Sequence, residues 1–160
     1  MADGVVAPRV GLGFDAHRFE AGRTLWLGGV RFDGEPGLDG HSDGDVVCHA
    51  LADALLGALA LGDLGQHFPD DDPATDGITG ADLLTRVVAL LADAGRRPAS
   101  CDLTVVCDRP AIATRRDEMR SGIGEVLGLP IDRVSVKATR PEGLGLVGDG
   151  VGCLAVAMVS

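Results

Sequence analysis

The sequence predicts a single-domain α/β (α+β) fold, with four longer strands and one small β-hairpin interspersed with three helices. Two observations carry this. The chain has 160 residues, 46% hydrophobic and 24% charged, which is the size of one domain with an ordinary globular balance and excludes disorder for its bulk. Strand-like runs and capped helices follow in the order β, hairpin, α, α, β, α, β, β, and no linker, repeat or low-complexity segment interrupts them, so residues 1–160 read as one domain.

Each element has its own warrant. Val10 to Phe14 is a short apolar strand after Pro8. Thr24–Leu27 and Val30–Phe32 flank Gly28-Gly29, the glycine pair of a tight hairpin turn. Residues 34–40 read as loop. Ser42-Asp43-Gly44-Asp45 has the S-x-x-D form of a helix start, and the helix is expected to run through His49, Leu51, Leu55 and Leu56 towards Leu61, with Gly62 as its stop. Residues 63–77 form an acidic, proline-containing loop. Thr79-Gly80-Ala81-Asp82 opens a second helix that runs to Ala94 and stops at Gly95. Cys101–Val106 is a strand, and residues 110–114 lead into a third helix ending near Leu127-Gly128. Arg133–Ala138 alternates with Val134 and Val136 on one face, a glycine-rich loop covers 139–150, and Val151–Val159 closes the chain as an apolar strand.

Charge narrows the function. Fourteen basic against 24 acidic residues leave a net charge of −10, and Lys137 is the only lysine. A nucleic-acid or anionic-membrane binder needs a basic face, so neither is expected as a partner. A phosphorylated substrate would have to be held locally, by metal ions, backbone N–H groups or a few placed Arg and Lys. Cys48, Cys101, Cys107 and Cys153 have no C-x-x-C spacing and lie in apolar runs, which reads as small buried hydrophobes in a reducing compartment. With no secretory pattern at the start and no apolar run of about 18 residues, the expectation is a cytoplasmic protein. Aromatic residues are only 3% of the chain, and oligomerisation is one way for such a protein to bury more surface.

Three segments offer chemistry. Gly11-Leu12-Gly13-Phe14-Asp15-Ala16 matches a dinucleotide-binding fingerprint in letters only, because a hairpin and not a helix follows it. Asp15-Ala16-His17 places a carboxylate and an imidazole on the same side of a strand; alone, the pair reads as a surface Asp and His beside a turn. The start of the first helix changes that weighting. His41, Ser42, Asp43, Asp45 and His49 fall within nine residues, and Asp45, His49 and Asp53 share an i, i+4, i+8 face among apolar neighbours. Buried Asp and His need partners or a metal. Asp15, His17 and His49 would give Zn²⁺ three ligands and leave a fourth position open, the catalytic pattern, with Asp53 able to orient His49. Lys137, Thr139, Arg140 and Glu142 form a polar segment at a strand end, where Thr and Arg suit phosphate and Glu suits Mg²⁺ or Mn²⁺; alone, it reads as an ordinary loop.

Together, Gly13-Phe14-Asp15-Ala16-His17, His41-Ser42-Asp43-Gly44-Asp45, the His49–Gly57 run, Leu61–Gly65, Phe68-Pro69-Asp70 and Lys137-Ala138-Thr139 resemble the 2-C-methyl-D-erythritol 2,4-cyclodiphosphate synthase family, in order over nearly the whole chain. The resemblance implies a mixed four-stranded sheet covered by helices on one face, and a homotrimer with active sites between subunits. It implies a lyase of the non-mevalonate isoprenoid (terpenoid) pathway, which closes 4-diphosphocytidyl-2-C-methyl-D-erythritol 2-phosphate to the cyclodiphosphate and releases CMP. Residues matching the family's zinc ligands are Asp15, His17 and His49, and Glu142 matches a ligand of a second ion, Mg²⁺ or Mn²⁺, on the diphosphate. The catalytic group is then His41, Arg140 and Glu142. Substrate contacts fall on Asp15, His17, His41 and Ser42, on Asp63, Leu64 and Gly65 for the methylerythritol hydroxyls, and on Phe68, Asp70 and Asp72 in a substrate-side loop. Cys107, Pro110, Ala111 and Ala113 match the cytidine pocket, and Lys137, Thr139, Arg140 and Glu142 the phosphates.

Three departures from the family stand out. A threonine at the phosphates is Arg140, a lysine after the cytidine-loop proline is Ala111, and an arginine facing the trimer axis is Asp149. Three symmetry-related Asp149 carboxylates would repel the isoprenoid diphosphate that can sit on that axis. Two rival functions share these motifs: a catalytically impaired, metal-holding ligand-binding homologue, and a zinc phosphohydrolase on the same scaffold.

Overall fold

Alternation from Arg9 to Glu20 builds the longest strand, β1, whose inward positions are Gly11, Gly13, Asp15, His17 and Phe19. It runs well past the expected end at Phe14, because the in–out alternation continues through the polar residues. The computed structural model describes residues 7–160. The hairpin follows as β2 (Leu25–Leu27) and β3 (Val30–Phe32), and its turn glycines Gly28 and Gly29 have φ of 61° and 75°, the left-handed pair that a two-residue turn requires. The segment expected to be loop contributes β4 (Gly37–Leu38), paired with Phe19 and Glu20 at the end of β1. Two residues are too few to show a strand period, so the main sheet has five strands where four were expected.

The first helix, α1, spans Val46–Ala58 and so begins four residues later than Ser42. Its cap is Asp45, whose carboxylate accepts the N–H groups of Val47 and Cys48, while Ser42 stays in the preceding loop. It also stops short of Leu61: Ala60 is left-handed (φ 56°) and breaks the ladder. The acidic loop contains one helical turn, α2 (Leu64–His67), capped by Asp63, and a 3₁₀ turn Pro73–Thr75 capped by Asp72. Next come α3 (Gly80–Asp93), capped by Thr79 as the sequence indicates, and β5 (Pro98–Val106). A 3₁₀ turn Ile112–Thr114 then leads into α4 (Arg116–Leu127), ended by the left-handed Gly128. The strands β6 (Val134–Thr139) and β7 (Gly150–Val159) close the chain.

The main sheet has the order β4-β1-β7-β5-β6, with β5–β6 parallel and the other pairs antiparallel. α1 lies on β1 and β7, α3 packs on α1, and α4 packs on α3 and β6, so the helices share one face. α1 approaches closely because β1 offers no side chain beneath it. A Cβ on Gly11 or Gly13 would stand 1.9 Å from the carbonyl oxygen of Ala54 or Ala50. The glycines that imitate a nucleotide fingerprint are therefore a packing groove. The opposite face of the sheet leaves Val10, Leu12 and Phe14 exposed on β1, with Leu154 and Val156 beside them on β7.

Candidate metal centre and active site

The inward alternation of β1 aims Asp15 and His17 at the first turns of α1, and His49 meets them there. Asp15 Oδ2 lies 2.8 Å from His17 Nε2 and 3.1 Å from His49 Nδ1. One ligand atom from each residue falls within 4.8 Å of the others. Two ligands about 2 Å from a tetrahedral ion stand roughly 3.3 Å apart, so one carboxylate oxygen and two ring nitrogens already converge as a three-ligand divalent site would have them. Burial pushes the Asp15 carboxyl up, but hydrogen bonds and charge from both imidazoles outweigh it and hold the group far below the usual carboxylate range. Burial likewise pulls His49 down, and the Asp15 carboxylate more than reverses this, so the His49 ring is raised above its ordinary value.

Around this centre the loop before α1 is tied on all sides. Ser42 Oγ is 3.1 Å from His49 Nε2 and accepts the Gly44 N–H at 3.2 Å. Ser42, not Asp53, therefore holds the second ring nitrogen of His49; Asp53 Oδ1 accepts the Leu64 N–H at 2.8 Å instead. Asp43 accepts the N–H of Asp45 and of Gly80 and so joins the loop to α3; burial and the neighbouring Asp45 charge raise its carboxyl. Asp45, the remaining member of the i, i+4, i+8 series, turns away from the site and is fully buried. It accepts N–H groups from Gly28, Gly29, Val47 and Cys48, stitching the hairpin turn to the start of α1.

Two cavities bring most of the expected residues together. The first, about 270 Å³, has Asp15, His17 and His49 on one wall and His41 and Ser42 on another. Leu64, Gly65, Phe68 and Asp70 also line it, with His41 Nε2 4.0 Å from an Asp70 oxygen. Gly40, Asp53, Thr75, Asp76, Ile78 and Leu83 complete it; no motif marked the last four, because they reach the cavity only through the fold of the loop before α3 and the first turn of that helix. The second cavity, about 310 Å³, lies where β5 and β6 end and contains Cys107, Pro110, Ala111, Ala113, Thr139 and Arg140. Arg116 also lines it, with its Nε buried and without a hydrogen-bond partner among the described residues; in sequence it is only half of a basic pair at a helix start.

Four expected residues line neither cavity. Asp63 and Asp72 cap short helical turns. Lys137 pairs with Asp102 at 2.7 Å across the β5–β6 ladder. Glu142 is exposed in the loop before β7, with a left-handed φ of 52°. Asp149 lies 3.9 Å from Arg109, whose guanidinium also meets Glu35 and stacks over the Phe19 ring. All four cysteines are free and buried, and burial pushes Cys101 up to about 12 and Cys107 up to about 11. No helix among the described residues is long and apolar enough to cross a membrane.

The YgbB family profile matches residues 8–160. A 2-C-methyl-D-erythritol 2,4-cyclodiphosphate synthase of Symbiobacterium thermophilum is 53% identical over 153 residues, covering 94% of this chain and 98% of that protein. A bifunctional enzyme IspD/IspF of an Anaeromyxobacter species is 51% identical over 149 residues; the match takes in 93% of this chain but only 38% of the longer relative. A solved 2C-methyl-D-erythritol-2,4-cyclodiphosphate synthase in its CDP-bound form superposes with a TM-score of 0.88 at 36% identity, over 95% of this chain and all of that one.

Proposed function

This chain belongs to the YgbB family, and from that premise we propose how its residues divide the work of a metal-dependent lyase of isoprenoid biosynthesis. The reaction converts 4-diphosphocytidyl-2-C-methyl-D-erythritol 2-phosphate to the 2,4-cyclodiphosphate and CMP. An oxygen of the 2-phosphate forms a bond to the β-phosphorus. The bond from that phosphorus to the bridging oxygen breaks, and CMP leaves with the electron pair. Such a transfer needs alignment and charge neutralisation more than covalent help.

Asp15, His17 and His49 hold the divalent ion, which we assign as Zn²⁺; the single observation that carries the reading is their convergence on one point at the wall of the cavity that His41 and Ser42 share. When bound, that ion acts as a Lewis acid towards a phosphoryl oxygen. His41 and Ser42 bind and orient the phosphates. Leu64 and Gly65, with Asp63 at the same turn, face the methylerythritol hydroxyls, and Phe68, Asp70 and Asp72 belong to the substrate-side loop. Cys107, Pro110, Ala111 and Ala113 receive cytosine, consistent with CDP in the related solved structure. Thr139, Arg140 and Lys137 supply donors to the diphosphate, and Glu142 holds the accompanying Mg²⁺ or Mn²⁺.

The metal cavity opens beside β1, whereas the cytidine cavity lies at the ends of β5 and β6, with β7 between β1 and β5. We assign the two halves of one active site to adjacent subunits of a cytoplasmic homotrimer. The exposed apolar face of β1 and β7 supports that assembly. Residues 1–160 act as one cyclodiphosphate synthase unit.

The test is to incubate the protein and substrate with Zn²⁺ and Mg²⁺ and follow the products by phosphorus NMR. CMP and the cyclic diphosphate are expected in equal amounts. Inorganic phosphate or an open-chain diphosphate would instead identify a phosphohydrolase, with water as the nucleophile. An unchanged spectrum with metal bound would identify a non-catalytic ligand-binding homologue.

A further inference from the structure

Arg23 lies in the loop between β1 and β2 and lines neither cavity, yet its guanidinium reaches the segment that carries His41. Nη1 donates to the Gly40 carbonyl at 2.6 Å and Nη2 to the Ser42 carbonyl at 2.5 Å, so one planar fork grips the chain on either side of His41. The fork is itself anchored. Glu20 lies 3.5 Å from Nη1, and the Arg23 carbonyl accepts the Gly37 N–H at 2.8 Å. Gly40, with φ of 151°, supplies a backbone shape that a side chain would resist.

The consequence follows from peptide geometry. In a trans peptide the C=O and N–H point to opposite sides, so drawing the Gly40 carbonyl to Arg23 turns the His41 N–H away from it. The intervening peptide is held from the other wall, where the His41 carbonyl accepts the Gly77 N–H at 3.4 Å, and the Asp43 N–H donates to Ile78 O at 3.4 Å. Among the described residues, the N–H groups of His41 and Ser42 have no acceptor. Two consecutive amide donors are thus left free in a segment that lines the metal cavity, next to the His49 ring that Ser42 Oγ contacts. Successive free amides of this kind favour an anion, and a cation bonded to the carbonyl of the same peptide polarises its N–H further.

We propose that Arg23 is a positioning residue for phosphate capture: its fork clamps the Gly40 and Ser42 carbonyls on either side of the His41–Ser42 peptide, which Gly77 holds by its carbonyl, so that the His41 and Ser42 N–H groups stand free to receive an anionic phosphoryl oxygen. Arginine is the residue suited to this, because its fixed fork spans two acceptors, whereas a lysine ammonium is a single point on a flexible stem. The proposal deepens the reaction given above and rests on it for the identity of the anion.

The test compares wild type with Arg23→Ala and Arg23→Lys. In Arg23→Ala, kcat is expected to fall by about tenfold or more, the scale of one lost charge-assisted hydrogen bond. Metal content should stay at the wild-type value, since Asp15, His17 and His49 keep their places. Added guanidinium should restore part of the rate to Arg23→Ala. Hydrogen exchange at the His41 and Ser42 amides, with inorganic pyrophosphate as the probe anion, should slow on addition of anion in wild type and not in either variant. If Arg23→Ala does not fold, Arg23→Lys, which keeps the charge and bulk, carries the comparison. Wild-type kcat in the variants, or a loss without guanidinium rescue and with wild-type protection of the two amides by pyrophosphate, would overturn the proposal. If wild type itself releases no CMP, the reaction fails, and the amide protection still decides the role of Arg23.

Discussion

Asp15 takes both imidazoles of the metal site on a single oxygen, and this fixes how the centre responds to pH. His49 is raised above 6.5 in the fold, so without metal its proton adds stability that is fully present below pH 6.5 and is lost as the pH rises through the folded value. Asp15 is depressed, and its contribution, present above 3.8, is lost only in strong acid. A metal ion must displace the His49 proton. Zinc affinity measured against a competing chelator should therefore tighten as the pH rises above 6.5, with protons released on uptake, and His49→Ala should lose the ion. A pH-independent affinity, or full metal content in that variant, would remove His49 from the ligand set. The ligand residues were legible because histidine is scarce here and three of the four lie near glycine-rich strand and helix ends. Asp45 was not legible: its spacing matched a ligand face, but as the residue that caps α1 it turns inward to bind four backbone N–H groups. Arg23 was equally hidden, since its partners are carbonyls, which any residue carries.

At the scale of elements, the contact between β1 and α1 is set by absent side chains. Gly13→Ala would drive a methyl group against the Ala50 carbonyl, and since backbone cannot repack as a side chain does, a loss of about 1–3 kcal/mol or more is expected in urea or thermal unfolding. A wild-type midpoint would mean that α1 can shift at no cost. Most elements could be read in advance where a cap or a glycine stop marked them, as for Thr79 before α3 and Gly128 after α4. The misses share a cause. Ser42 and Asp45 both fit a cap signal, and only the packing of the hairpin turn on Asp45 chooses between them. β4 has just two residues, and α2 is a single turn whose cap Asp63 is indistinguishable in sequence from any acidic loop residue.

For the whole molecule, the helix-free face of the sheet is the main prediction. Leu12 is 67% exposed and points away from the metal site. Leu12→Asp should shift sedimentation from trimer to monomer and lower turnover while metal binding persists. A trimer that survives would move the subunit contact elsewhere. The residues of the first cavity were legible as a cluster and those of the second only through the family resemblance, and their separation in one chain was hidden because sequence order says nothing of which strand lies between β1 and β5. The strand β1 serves both faces of the sheet. Its even-numbered residues lie on the helix-free face and its odd-numbered ones face α1 and the Asp15-His17-His49 centre, so parity along twelve residues keeps the two faces chemically distinct. Deleting one residue in the middle of this strand would exchange the two sets beyond the cut, putting leucine or phenylalanine towards the helix or histidine towards the helix-free face. A change of length here would disturb the metal site and the proposed subunit face together, so homologues should keep the number of residues in this strand even where its exposed positions differ.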